Sequence, residues 1–311
     1  MDIFARIAPR GRLGPGRAPA PGIIATVVGI LYLVGTPIGN LEDITERAKR
    51  ILGTVDVVAA EDTRRTGLLL SRLGIRARLV SLFEGNEASR VPELLGRLRS
   101  GATVAVVSDA GMPALSDPGH RLVAACVDAS IPVEVVPGPS AAVAALVVSG
   151  LPTDRFVFEG FIPRSGKARA GRLAALAAEP RTIILFESPK RVTRTLGDLL
   201  EAMGDRRVAV ARELTKLHQE VLRGTIARVI SDLGERELKG EVAIVLEGSN
   251  AVPGAGHTIE EALSIARGLV GAGSKKREAA KRAAALTGVP ARSIYDALAG
   301  GPTSGSAPGQ D

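Results

Sequence analysis

Residues 102–119 read ATVAVVSDAGMPALSDPG. The first six, Ala102 to Val107, are small, apolar and partly β-branched, the composition of a strand buried on both faces of a parallel sheet. The chain then turns polar at Ser108 and Asp109 and becomes rich in turn formers, with Gly111, Pro113, Asp117, Pro118 and Gly119. Asp117-Pro118 reads as the N-cap and first residue of a helix running to about Ala129. That helix start leaves Ser108 to Pro113 unexplained. In open α/β sheets, loops beyond the carboxyl ends of the strands are where ligands bind.

The same alternation extends outward from this stretch. Short apolar runs at 30–34, 55–60, 78–82, 103–107 and 133–136 are separated by helical patterns near 43–52, 64–73, 87–99, 117–129 and 139–149, which predicts a mostly parallel α/β domain over 29–137. Strands near 155–158, 182–186, 207–212, 218–223 and 241–247, with helices near 168–178, 189–203 and 225–233, predict a smaller α/β or α+β domain over 138–249. Ser188-Pro189 and Thr225 are further helix starts. Residues 250–258 read as a linker. Helical patterns at 259–271, 274–287 and 291–299 then form a small trihelical, helix-turn-helix-like unit over 259–299, with an apolar stripe of Ala279, Ala280, Ala283, Ala284 and Leu286 on the middle helix. The Gly/Pro/Ser tail 300–311 and the Gly/Pro/Ala-rich segment 1–28 lack periodicity and read as disordered.

At 311 residues and 45% hydrophobic content the chain can bury a sizeable core. Its lone cysteine, Cys126, excludes an internal disulfide, and its three histidines give no metal-ligand spacing, so no metal is expected. No apolar run reaches the roughly 18 residues of a membrane span. A soluble protein in a reduced, cytoplasmic setting is the expectation. A net charge of +7 points to an acidic partner such as nucleic acid. Part of it lies in the leading segment, where Arg6, Arg10, Arg12 and Arg17 face only Asp2.

Gly35-Thr36-Pro37-Ile38-Gly39-Asn40 follows the first strand, but a dinucleotide fingerprint is absent because Pro37 stands where the second glycine belongs. Gly160 to Lys167 superficially resembles a phosphate loop, with one residue too many between its glycines and Ala168 where Ser or Thr should hold magnesium. Its cations Arg164, Lys167, Arg169 and Arg172 fit either a solvated turn or a phosphate contact. Further polar clusters end other strands: Glu61-Asp62-Thr63-Arg64, Gly138-Pro139-Ser140-Ala141 and Arg212-Glu213-Leu214-Thr215-Lys216. The glycine-rich loops together suit a small, partly apolar ligand held through backbone groups. No neighbouring Ser-His or Cys-His pair signals covalent catalysis.

Eight motifs, LYLVGTPIGNLEDIT, AAEDTR, SDAGMPALSDPG, PGPSA, GLPTDRFVFEGF, FESPKR, ARELTK and KGEVAIVLEG, occur in an order and spacing that resemble the ribosomal-RNA branch of the tetrapyrrole methylase (class III) S-adenosylmethionine-dependent family. The resemblance covers Leu31 to Gly248 and extends to the trihelical tail. Met112 departs from the family pattern. The resemblance implies two α/β domains of the tetrapyrrole methylase type with a cofactor cleft between them, a homodimer, and methylation of the ribose 2′-oxygen of a cytidine in the decoding centre of 16S rRNA in the small ribosomal subunit. For S-adenosylmethionine it implies Gly35, Thr36, Pro37, Ile38 and Gly39, then Ser108, Asp109, Ala110, Gly111 and Met112, then Gly138, Ser140 and Ala141, with Phe186 and Ala211 on the second domain. Asp109 is expected to accept from the cofactor's polar groups.

A ribose hydroxyl is a weak nucleophile, so a base, or a cation that stabilises a developing alkoxide, is expected beside it. Lys216 with Glu213 and Arg212 is the first candidate, and Glu61, Asp62 and Arg64 the second. In SKKREAAKR, residues 274–282, the cations Lys275, Lys276, Arg277, Lys281 and Arg282 suit phosphate contact, alongside Arg164, Lys167 and Arg169. A tetrapyrrole methyltransferase acting on a cobalamin or sirohaem precursor, and a non-catalytic RNA-binding protein, are the competing readings. The basic tail disfavours the first, and the clustered loops disfavour the second.

Overall fold

The computed structural model describes residues 28–249, 258–271, 274–287 and 289–299. The expected leading extension and tail, and the linker up to residue 257, lie outside the described residues, Val28 excepted. The chain divides into two compact units.

The first unit holds residues 28–34, 46–109 and 113–137. Its strands β1 (Leu31–Val34), β2 (Val57–Ala60), β3 (Leu79–Ser81), β4 (Val104–Val107) and β5 (Val133–Val136) form a sheet in the order β3-β2-β4-β1-β5. All its pairings are parallel. Every residue of β2 and β4 is buried, which is why these strands read as unbroken apolar runs. Helices α1 (Glu46–Leu52), α2 (Thr63–Arg72), α3 (Glu87–Arg99) and α4 (His120–Asp128) complete the unit. Leu94 and Leu98 of α3 and Leu122 and Cys126 of α4 join Leu31, Val57 and Val104 in one core. Burial there pushes the Cys126 thiol up to about 11.

The start of α4 differs from the sequence prediction. The helix begins at His120, not at Pro118, and Gly119 precedes it at φ +124°, a conformation that favours glycine. Asp117 is not its N-cap. The buried carboxylate of Glu87, from α3, accepts from the N–H groups of Gly119 at 3.0 Å and Arg121 at 2.9 Å.

The second unit takes residues 35–45, 110–112 and 138 onward, so the loops after β1 and β4 make their contacts there. Strands β6 (Phe156–Phe161), β7 (Thr182–Glu187), β8 (Arg207–Arg212), β9 (Glu220–Thr225) and β10 (Val242–Leu246) run in the order β6-β7-β10-β8-β9. Only the β6–β7 pair is parallel. The alternation along β7 sorts its residues between two cores. Ile183 and Leu185 pack with helices α6 (Gly166–Ala177), α7 (Val192–Met203) and α8 (Ile226–Leu233), whereas Ile184 packs with α5 (Ala141–Ser149). Thr225 caps α8 as predicted, accepting from the Arg228 N–H at 3.4 Å.

The three C-terminal helices are α9 (Ile259–Gly271), α10 (Lys276–Thr287) and α11 (Ala291–Leu298). Thr258 and Glu261 close a reciprocal capping box at the start of α9, with bonds of 3.2 and 3.1 Å. Ala262 and Ala266 of α9, Ala280 and Ala283 of α10 and Ile294 of α11 form their own core.

Candidate active site

Three glycine-bearing loops of the second unit meet backbone to backbone. The N–H of Thr36 donates to the Gly111 carbonyl at 2.9 Å, and the N–H of Gly111 returns a bond to the Thr36 carbonyl at 3.1 Å. A Cβ at Gly35 would lie 2.7 Å from Gly138 Cα and 2.8 Å from Met112 Sδ, so the first and third loops touch only because both residues are glycine. Ser140 precedes α5 without a side-chain cap bond, which leaves the amino end of that helix for backbone recognition.

Below these loops lies an apolar floor. Ile38, Ala110, Ala141, Phe186 and Ala211, separated by as many as 173 residues, belong to one cluster, together with Leu214 and Ala243 that sequence reading did not single out. Strand register explains the last of these: Ala243 on β10 sits opposite both Phe186 on β7 and Ala211 on β8. The Phe186 ring is held by Phe158, edge to face at 5.0 Å, and by Phe161 at 5.8 Å.

A strained turn adjoins the first loop. Glu213 and Thr215 both adopt positive φ, +52° and +66°, unusual for residues with side chains. The turn is fixed by bonds from Lys216 N to the Glu213 carbonyl, Thr215 N to Gln219 Oε1 and Glu213 N to the Glu241 carbonyl. Gly39 is pressed against it, since a Cβ there would lie 2.4 Å from Lys216 Cγ, and Asn40 N donates to Thr215 Oγ1 at 3.1 Å. Lys216 Nζ bridges Glu213 Oε1 at 2.8 Å and Glu241 Oε2 at 3.2 Å. Desolvation acts to lower the Lys216 pKa, but bonding to Glu213 and the charge of Glu241 outweigh it, and the ammonium is held above its ordinary range. Desolvation likewise acts to raise Glu213, yet the bond from Lys216 brings it below the usual carboxylate value. Arg212 is committed elsewhere, to Glu220 and the Lys239 carbonyl.

The other predicted cluster belongs to the first unit. Asp62 caps α2 through Arg64 N and Arg65 N, and its hydrogen bonds to Arg64 hold its carboxyl at about 2. The Asp109 carboxylate accepts from Asp62 N at 3.2 Å and Arg65 Nη1 at 2.8 Å, while Asp109 N donates to Glu61 Oε2 at 3.2 Å. Asp109 therefore ties the end of β4 to the end of β2, a bracing role the sequence did not indicate. Desolvation, with the charges of Asp109 and Asp62, raises Glu61. Among the described residues no group of His, Cys, Asp or Glu is arranged to hold a metal.

The basic residues separate into two kinds. Arg169, taken from sequence as a possible RNA contact, is buried, with its guanidinium bonded to Asp198, Thr195 and the Pro163 carbonyl, so it is a structural cation. Arg164 and Lys167 are exposed, as are Lys275, Lys276, Arg277, Lys281 and Arg282. Among the described residues no helix is long and apolar enough to cross a membrane.

Residues 30–230 match the family model for Tetrapyrrole (Corrin/Porphyrin) Methylases. The Ribosomal RNA small subunit methyltransferase I of Thermotoga maritima is 52% identical over 221 residues, covering 71% of this chain and 99% of that protein. The Mycobacterium tuberculosis protein of the same name is 47% identical over 274 residues, covering 87% of this chain and 94% of its own. Among solved structures, a uroporphyrin-III C-methyltransferase from Thermus thermophilus complexed with S-adenyl homocysteine shares the fold, with a TM-score of 0.50 and 22% identity over 70% of this chain and 97% of that one. With more than half its length matched by the family model and its sheets and loops ordered as described, this chain belongs to the tetrapyrrole methylase family.

Proposed function

We propose that this chain transfers a methyl group from S-adenosylmethionine to small-subunit ribosomal RNA, at the 2′-oxygen of a cytidine in the decoding centre. The observation that carries this reading is the 47–52% identity to small-subunit rRNA methyltransferases that are matched over 94–99% of their own lengths. The tetrapyrrole alternative draws on the breadth of the family model and on a solved uroporphyrin-III C-methyltransferase that is 27% identical, well below the identity to the rRNA methyltransferases.

The residues present fit the cofactor. The contact of Gly35 with Gly138 brings two loop backbones together at the carboxyl side of the strands, and Ile38, Ala110, Ala141, Phe186 and Ala211 supply an apolar wall beside them. S-adenosylmethionine would supply, when bound, a sulfonium methyl; the C–O bond to the ribose oxygen forms in line as the C–S bond breaks, the neutral thioether leaves, and the hydroxyl proton passes to solvent. Lys216 is the candidate group for that oxygen. Held protonated by two carboxylates, it is suited to stabilise negative charge developing on the ribose oxygen rather than to remove its proton. Glu213 and Glu241 position it.

The homodimer forms part of this reading. Helix α5, AAVAALVVS, has no charged side chain, and its outward positions Val143 and Val147 are exposed, a face suited to a second copy. Sedimentation should show the wild type as a dimer and Val147→Glu as a monomer, and an unshifted mass would remove α5 from the interface. The function itself is tested by supplying labelled S-adenosylmethionine and small subunits lacking ribose methylation. Label should map to one cytidine ribose, and transfer to no RNA would overturn the assignment.

A further inference from the structure

Among the described residues Phe83, Phe156, Phe161 and Tyr295 are the exposed aromatic side chains, and of these Phe83 follows a strand of the parallel sheet. The chain has six phenylalanines, two tyrosines and no tryptophan, and Phe158 and Phe161 each pack on Phe186. Phe83 instead leaves the carboxyl end of β3 and is 46% exposed. Its neighbour Leu82 is buried and continues the sheet, with its N–H bonded to the Ala60 carbonyl at 2.8 Å. Phe83 is thereby placed at the ligand-binding edge of the parallel sheet, beside the end of β2.

The backbone under this ring is clamped. Phe83 N donates to Asn86 Oδ1 at 2.8 Å, and the Phe83 carbonyl accepts from Asn86 N at 3.0 Å and Glu87 N at 2.9 Å. Asn86 is itself anchored to the Ser81 carbonyl at 3.2 Å. The ring edge lies on Gly85, where a Cβ would sit 2.7 Å from Phe83 Cε2. The fold thus fixes a large apolar ring and leaves it in water, with both the chain and the ring orientation set beforehand. Such preorganisation lowers the ordering cost of a stacked ligand.

Arg64 pairs with Asp62 at 2.9 Å and Arg65 with Asp109 at 2.8 Å, so each of the two cations that follow β2 has a carboxylate partner. An exposed aromatic face held in place in this way suits a planar base. We propose that Phe83 is the stacking platform for a nucleobase of the RNA substrate. The proposal rests on the reading of this chain as an RNA methyltransferase and adds the residue that seats the strand.

The test uses the full-length protein and unmethylated small subunits. Phe83→Ala should raise KM for the subunit about tenfold, with cofactor affinity and melting temperature unchanged. Phe83→Leu should behave like Phe83→Ala, because leucine keeps apolar bulk but has no π face, whereas Phe83→Tyr and Phe83→Trp should stay near wild type. A stacking contact releases no counterions, so the ratio of mutant to wild-type KM should be equal at low and high salt. Wild-type KM in Phe83→Ala or Phe83→Leu would overturn the proposal, as would a loss confined to cofactor affinity, which would place Phe83 at the cofactor instead. A wild-type protein that methylates no RNA would fail the functional reading, and that failure is seen before any variant is compared.

Discussion

Lys216 was expected to act either as a base or as a cation, and its surroundings favour the second of these proposed roles. A lysine acting as general base must spend part of its time neutral near neutral pH, usually by desolvation with no acid beside it. Here Glu213 and Glu241 flank it, and the net shift is upward. The raised value keeps the ammonium, and its stabilising contribution, until pH climbs past the ordinary lysine range, about 10.4. Glu213, shifted down, keeps its contribution until pH falls below its ordinary range, about 4.3. The pair is therefore ionised from about pH 5 to 10, and neither member titrates where the enzyme is assayed. Lys216→Ala should lower single-turnover methyl transfer about a hundredfold, the scale for losing one donor to an oxyanion, while leaving cofactor affinity intact. Lys216→Arg should recover part of the rate, and the pH profile of the residual activity between 6 and 9 should keep the wild-type shape. Full activity in Lys216→Ala, measured by rapid quench, would remove the role. ARELTK exposed Lys216 and Glu213 in the sequence. Glu241 stayed hidden because only the β8–β10 register, Arg212 opposite Val242, brings it alongside.

At the scale of elements, what was legible follows from where each element finds its partners. Strands β2 and β4 are buried on both faces, so their unbroken apolar runs marked them within two residues. Helix starts were legible where the cap is local, as with Thr225, and illegible at α4, whose cap comes from Glu87 more than thirty residues earlier. Arg169 was misread for the same reason, since Asp198 and Thr195 reach it from α7. The cap at α4 has a measurable consequence. Glu87 is buried and one of its oxygens serves two N–H groups, so Glu87→Ala strands both donors and should cost about 1–2 kcal/mol in urea denaturation. Glu87→Gln keeps an acceptor and should cost less. Equal stability of all three proteins would show that solvent satisfies these groups equally well.

At the scale of the whole molecule, the C-terminal helices have a small core of their own. The match to the Thermotoga protein spans 221 residues and takes in 99% of it, which leaves that relative no room for the helical unit as well as both sheets, whereas the longer match to the Mycobacterium protein spans 274 residues. The core of the C-terminal helices is built almost wholly from alanines, Ala262, Ala266, Ala280 and Ala283, which lets α9 and α10 approach closely and turns the long side chains of α10 outward. Lys275, Lys276, Arg277, Lys281 and Arg282 are all exposed, with Glu278 as the acid in their midst. Cations arranged this way contact phosphates without reading sequence, and each contact made displaces condensed counterions. Deleting residues 251–311 should leave S-adenosylmethionine affinity unchanged in titration calorimetry and weaken binding to the small subunit. It should also flatten the plot of log affinity against log salt, by about 3.5 in slope if all five cations meet phosphates at about 0.7 each. The effect would contrast with that of Phe83→Ala, which should weaken binding without altering the slope. Equal subunit affinity and equal salt slope for the full and shortened proteins would assign these helices to folding or assembly instead.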